Sequence, residues 1–214
     1  MGKLSRGFLG GFQGQLGTAY GCFWRLMDLI KAMPRKSNRP ATEKQLEVQA
    51  RLSLMTSFLS WAGSIIKMAY FEKKSNQSAM NAAVAYNLEN SITGVAPLYA
   101  IDYPKLRLST GRLEKAFNLT MSTVVDAELK FEWELNSAGT QDSNPTDKLS
   151  FVVYNPSKQK FVILKDVAIR SALTYDLIVP SNYSGDNVYV YVIITRADGE
   201  MASETDYAGA TVVM

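Results

Sequence analysis

Residues 128–135 read Glu128-Leu129-Lys130-Phe131-Glu132-Trp133-Glu134-Leu135. Charged and apolar side chains alternate without a break, which is the period of a β-strand with one buried and one wet face. The same period returns at Leu149, Phe151 and Val153. Asn155-Pro156-Ser157-Lys158 then turns the chain into Phe161–Leu164, a hairpin. Leu173–Val179 and Val188–Ile194 supply two more strands, Asp198-Gly199 carries a hairpin-turn signal, and Thr211–Met214 closes the set. About seven short strands between residues 104 and 214 predict an immunoglobulin-like β-sandwich.

Upstream the period changes. Thr42-Glu43-Lys44-Gln45 has the form of a capping box. Val48, Leu52, Met55, Leu59, Ala62, Ile66 and Ala69 follow at spacings of four and three, one apolar stripe on a helix from Thr42 to about Tyr70. Leu54, Phe58, Trp61 and Ile65 widen that stripe beyond half the circumference. A second, alanine-rich helix runs from Ser78 to Asn90, with Gly94 as its C-terminal stop. The fold class is therefore α+β: a glycine-rich arm and helical basic region over residues 1–103, with a β-hairpin as the alternative within it, followed by the sandwich, residues 104–214. Residues 18–33 read two ways. Phe23, Leu26, Met27 and Ile30 have helical spacing, while Tyr20, Cys22 and Trp24 alternate, with Arg25-Leu26 as the turn into a second strand.

Composition narrows the chemistry. The 214 residues include no histidine and one cysteine, Cys22. Histidine triads, histidine metal ligands and an intramolecular disulfide are excluded, and no enzyme activity, cofactor or metal is expected. Glu128, Glu132 and Glu134, with Lys130 between them, read as a solvated strand face rather than a glycosidase pair. Asp142, Asp147, Asp186 and Asp198 read as turn residues, since no EF-hand spacing surrounds them. Cys22 reads as a small apolar filler. The longest uncharged apolar run, Leu52–Ile66, is shorter than a bilayer span, and glycines interrupt the first residues, so neither a membrane span nor a secretory signal is expected. The compartment implied is cytoplasmic or particle-associated.

Charge is unevenly distributed. Residues 1–74 carry 12 Lys/Arg against 4 Asp/Glu, a net +8, and residues 75–214 carry 11 against 16, a net −5. Arg35, Lys36, Arg39, Lys44 and Arg51 form a basic set that would bind a polyanion, and nearby aromatics could stack on bases. Half of the 14 glycines lie within residues 1–21, among them Gly14, Gly17 and Gly21. A glycine-rich extended arm can add to a neighbour's sheet edge. An uncovered helix face carrying Phe58, Trp61 and Ile65 would need a partner. The leading expectation is thus a non-enzymatic structural or assembly protein, a homo-oligomer that self-associates through its N-terminal region. The alternative is a nucleic-acid-binding protein using the basic loop and helix.

Two resemblances accompany this reading. Trp133, the hairpin Tyr154–Phe161 and Leu177-x-x-Pro180 leading into Val188–Val192 resemble a fibronectin type III domain, which implies a spacer or binding module. Most of the chain resembles a family of uncharacterised proteins of Bacteroidota bacteria. The resemblance rests on Gly14-x-x-Gly17-x-x-x-Gly21-x-x-Trp24, on Arg35 and Asn38-x-Pro40-x-Thr42, on Gln45 with Arg51, and on Pro180-x-x-Tyr183-x-Gly185-Asp186. In those relatives the glycine region looks like a hairpin closed by a Lys-Gly turn, a place taken here by Arg25-Leu26. The Pro40-x-Thr42-x-x-Gln45 element also resembles one in uncharacterised phage-associated proteins, and the leading expectation includes a phage-derived or cell-surface origin. Neither family resemblance implies a catalytic activity or a ligand.

Overall fold

The computed structural model describes residues 2–4, 11–33, 40–136 and 142–214. The chain divides into two compact units, residues 1–42 and 43–214.

The N-terminal unit is a four-stranded antiparallel sheet of β1 (Gly2–Leu4), β2 (Gly14–Leu16), β3 (Ala19–Trp24) and β4 (Met27–Ala32), in the order β1-β4-β3-β2. The chain therefore opens with strands, not helices, a correction to the expected helical N-terminal region. Glycines at 17 and 21 and the aromatics Tyr20, Phe23 and Trp24 disfavour helix and favour strand, and here they outweigh the helical spacing. Trp24 pairs with Met27, and the turn residues Arg25 and Leu26 both have positive φ, 47° and 61°. Two left-handed residues in a row match the right-handed twist of the flanking strands. Gly21 admits close approach, because a Cβ there would lie 2.6 Å from the Phe12 ring.

The C-terminal unit begins with α1 (Glu43–Trp61), α2 (Gly63–Ala69) and α3 (Ala79–Asn90). The single helix expected to Tyr70 is two, interrupted at Ala62, where glycine and serine follow and weaken the helix. Ser78 caps α3, its Oγ accepting the Asn81 N–H at 3.2 Å. The helix ends at Asn90, ahead of Gly94. That glycine lies instead in a hairpin of β5 (Ile92–Val95) and β6 (Leu98–Ile101), with φ +91° and the Leu98 carbonyl where a Cβ would stand.

Then follow β7 (Phe117–Val124), β8 (Glu128–Glu134), β9 (Lys148–Asn155), β10 (Lys160–Ile169), β11 (Thr174–Ile178), β12 (Asn187–Thr195) and β13 (Asp206–Val212). They form two antiparallel sheets, β11-β8-β7 and β10-β9-β12-β13, in a β-sandwich. Between the sheets lie Leu129, Phe131, Trp133, Phe151, Val153, Leu177, Val190 and Val192, all buried. Leu135 lies beyond the end of β8 and is exposed.

The second face of the four-stranded sheet is covered as well. Val152 and Tyr154 of β9 and Tyr191 and Ile193 of β12 pack in one core with Met55, Leu59, Ile66 and Ala83 of the helices. The unit thus has three layers: helices, sheet, sheet. Two expectations change as a result. Phe58, 8% exposed, and Ile65, fully buried, belong to this core and not to an uncovered face. The helices share a core with the strands, so the compact unit starts at residue 43 rather than at residue 104.

A buried arginine ties the sandwich edge. Arg170 donates to the Asn136 Oδ1 at 2.7 Å and to the Glu114 carbonyl at 2.8 Å, and its Nε lies 3.3 Å from Asp147 Oδ2. Its own carbonyl accepts the Trp133 Nε1–H at 2.7 Å.

Candidate functional site

One flank of α1 stays open to solvent. Residues 43, 46, 47, 50, 53, 54, 57, 58 and 61 recur at helical spacing along it and border two neighbouring hollows. The first, about 580 Å³, lies where Leu46 and Ala50 face Ala96, Pro97 and Tyr99 of the β5–β6 hairpin. The second, about 540 Å³, is lined by the aromatic rings of Phe58, Trp61, Tyr99, Tyr103, Tyr154 and Phe161. Tyr99 borders both and stands between them, its hydroxyl donating to Glu47 Oε1 of α1 at 3.2 Å.

Three elements place these rings. Phe58 and Trp61 stand three apart on α1, one turned into the core and the other outward. Tyr99 and Tyr103 follow from β6 into the next turn, and Tyr154 and Phe161 face each other across the β9–β10 hairpin at 4.6 Å between centroids. Phe58 meets Tyr154 edge-on at 5.0 Å, and Tyr103 lies 5.3 Å from Tyr154. Burial pushes the phenols of Tyr103 and Tyr154 above their ordinary range, so both stay neutral at physiological pH. Trp61 is 73% exposed. Ser53, Ser57 and Gln159 supply polar groups to the lining, and among the described residues no charged side chain borders this second hollow.

The residues singled out by sequence do not converge. Trp61 lies at the second hollow, whereas Phe58 and Ile65 are core. Gly14 lies in β2, Gly17 in the turn to β3 and Gly21 in β3, all within the N-terminal unit. Lys44 is exposed and borders the first hollow. Arg51 is committed to packing: its Nη2 donates to the Leu88 carbonyl at 2.9 Å, and its guanidinium lies 6.0 Å from the Tyr99 ring centre. Arg35, Lys36 and Arg39 lie outside the described residues.

Several acidic residues are taken up by cations. Lys130 pairs with Glu132 at 2.8 Å and Arg196 with Asp198 at 2.8 Å. Lys158 pairs with Asp186, whose carboxyl is held below its usual range by hydrogen bonds from Lys158 and Asn155. Tyr99, Tyr103, Tyr154 and Phe161 escaped the sequence reading as a set, because three separate segments deliver them. The available signal was aromatic density at hairpin ends.

Two further apolar surfaces are exposed. Val48 and Leu52, in the N-terminal half of the α1 apolar stripe, stay 59% and 45% exposed. In the N-terminal unit Leu29 is the one buried large apolar side chain among the described residues, while Leu16, Tyr20, Phe23, Trp24, Leu26 and Met33 are exposed. No described helix is long and apolar enough to cross a membrane.

Among curated proteins none matches this chain. A solved structure described as the fn3 domain of human collagen alpha-1(XX) chain is similar to it at 16% identity and a TM-score of 0.30, covering 49% of this chain and 88% of that one. A family model matches residues 11–209, nearly the whole sequence, and the chain therefore belongs to DUF6266, a family of unknown function.

Proposed function

We propose that the protein is a non-enzymatic assembly protein that self-associates through its N-terminal region. The carrying observation is the N-terminal sheet, which buries one large apolar side chain among its described residues and leaves six exposed. A small sheet with so little interior gains stability by covering its faces or pairing its edges. Val48 and Leu52 in the N-terminal half of α1 add a second uncovered patch. Charge supports contact between copies: residues 1–42 carry seven Lys/Arg and one Asp, a net +6, while residues 43–214 carry a net −3. Association of unlike regions of identical chains builds rings or filaments.

Sedimentation of nuclease-treated protein over a wide concentration range tests this. The expected result is a mass above that of one chain, lowered by changing Tyr20, Phe23 and Trp24 together to serine. The mass of one chain at every concentration would overturn it. The net charge of +6 also favours a second reading, binding of nucleic acid by the basic N-terminal unit. Under that reading, association disappears on nuclease treatment and returns with added RNA or DNA.

A further inference from the structure

We propose that the aromatic hollow between α1, β6 and the β9–β10 hairpin is a binding site for a neutral carbohydrate chain, a site separate from the assembly surfaces of the N-terminal region. Four observations carry the assignment. Its volume, about 540 Å³, is that of a small-ligand site. Six aromatic rings line it, and the indole of Trp61 stands 73% exposed at its rim. An exposed flat ring of this kind is a platform for the apolar C–H face of a sugar.

Among the described residues no charged side chain lines the hollow, so an ionic ligand would leave water without a counter-charge. The polar lining is Ser53, Ser57 and Gln159, and among the described residues none of these side chains hydrogen-bonds to protein. Hydroxyl and amide groups both donate and accept, which matches sugar hydroxyls that do the same. A proline-rich peptide is the competing occupant of an aromatic groove, but it presents mainly carbonyl acceptors and would use only the donors.

The test titrates the full chain with four neutral hexasaccharides: β-1,4-linked glucose, β-1,4-linked xylose, β-1,4-linked N-acetylglucosamine and α-1,4-linked glucose. Binding is read by calorimetry and by tryptophan emission. At least one is expected to bind, with a blue shift of the emission. Trp61→Ala should weaken that binding by about tenfold or more, Trp61→Phe should restore part of it, and Ser53→Ala with Ser57→Ala should weaken it further. The thermal midpoint of Trp61→Ala should not move, because the side chain is exposed. No binding to any of the four sugars overturns the proposal. So does binding that Trp61→Ala leaves unchanged, or capture of a decaproline peptide in place of the sugars. Loss of the oligomer in Trp61→Ala without any sugar binding would make the hollow a contact between copies and would equally overturn it.

Discussion

Replacing Phe58 by alanine separates two roles open to a large apolar residue on α1. Phe58 is 8% exposed, and its ring meets Tyr154 at 5.0 Å, Phe161 at 5.1 Å and Tyr103 at 6.2 Å. Truncation would open a cavity between helices and sheet, at a cost of about 3–5 kcal/mol. Aromatic pairs contribute about 0.5–1.5 kcal/mol each beyond their buried area, which favours the upper half of that range. In a unit of about 170 residues each kcal/mol moves the thermal midpoint by about 2–4 °C, so a fall of about 8–20 °C is expected. Thermal melts followed by near-ultraviolet circular dichroism, with sedimentation in parallel, read both stability and mass. Trp61→Ala, three residues on and exposed, should stay within about 0.5 kcal/mol of the parent. An unchanged midpoint for Phe58→Ala, with a smaller assembly, would refute the three-layer packing and return Phe58 to a contact between copies.

Trp133→Phe keeps a large ring but leaves the buried Arg170 carbonyl without its donor, and urea unfolding should show a loss of about 1–3 kcal/mol. Burial pushes the Asp206 carboxyl above its ordinary range, so the stability it contributes is present at low pH and lost as pH rises through the folded-state value. Asp206→Asn should accordingly raise the midpoint at pH 7, with the gain fading below the ordinary carboxylate range. Asp186 has the opposite sign. Held low by Lys158 and then Asn155, it stabilises above the ordinary carboxylate range and loses that contribution as pH falls through its folded value. Asp186→Asn should lower the midpoint at neutral pH and match the parent in acid.

The strands with alternating patterns were legible in the sequence because their pattern reports one buried face. Residues 128–134 and the turn at Asn155-Pro156 came out at the right places for that reason. Phe151-Val152-Val153-Tyr154 and Val190–Ile194 are unbroken apolar runs, and an unbroken run marks a strand buried on both faces. Reading them as one-sided left the helices without a cover and promoted Phe58 and Ile65 to an interface. β7 carries the same alternation, Phe117, Leu119 and Met121 against Asn118, Thr120 and Ser122, and was legible though absent from the expected set; Asn118, at φ +48°, and a register shift between Phe117 and Thr120 disturb only its pairing with β8. The aromatic hollow was illegible for a different reason, since its rings come from helix, hairpin and strand ends that only the fold brings together.

The double-sided sheet also governs how the chain can be cut. Val152, Tyr154, Tyr191 and Ile193 form a flat, uncharged β surface that the helices roof. A fragment starting at residue 104 would lay that surface bare, and apolar β segments without charge are the material of fibrils and inclusion bodies. During synthesis the order is reversed: the helices emerge first and wait for β12 and for β13, whose Tyr207 packs against the same core. Boundaries before residue 43 keep the helices over that surface.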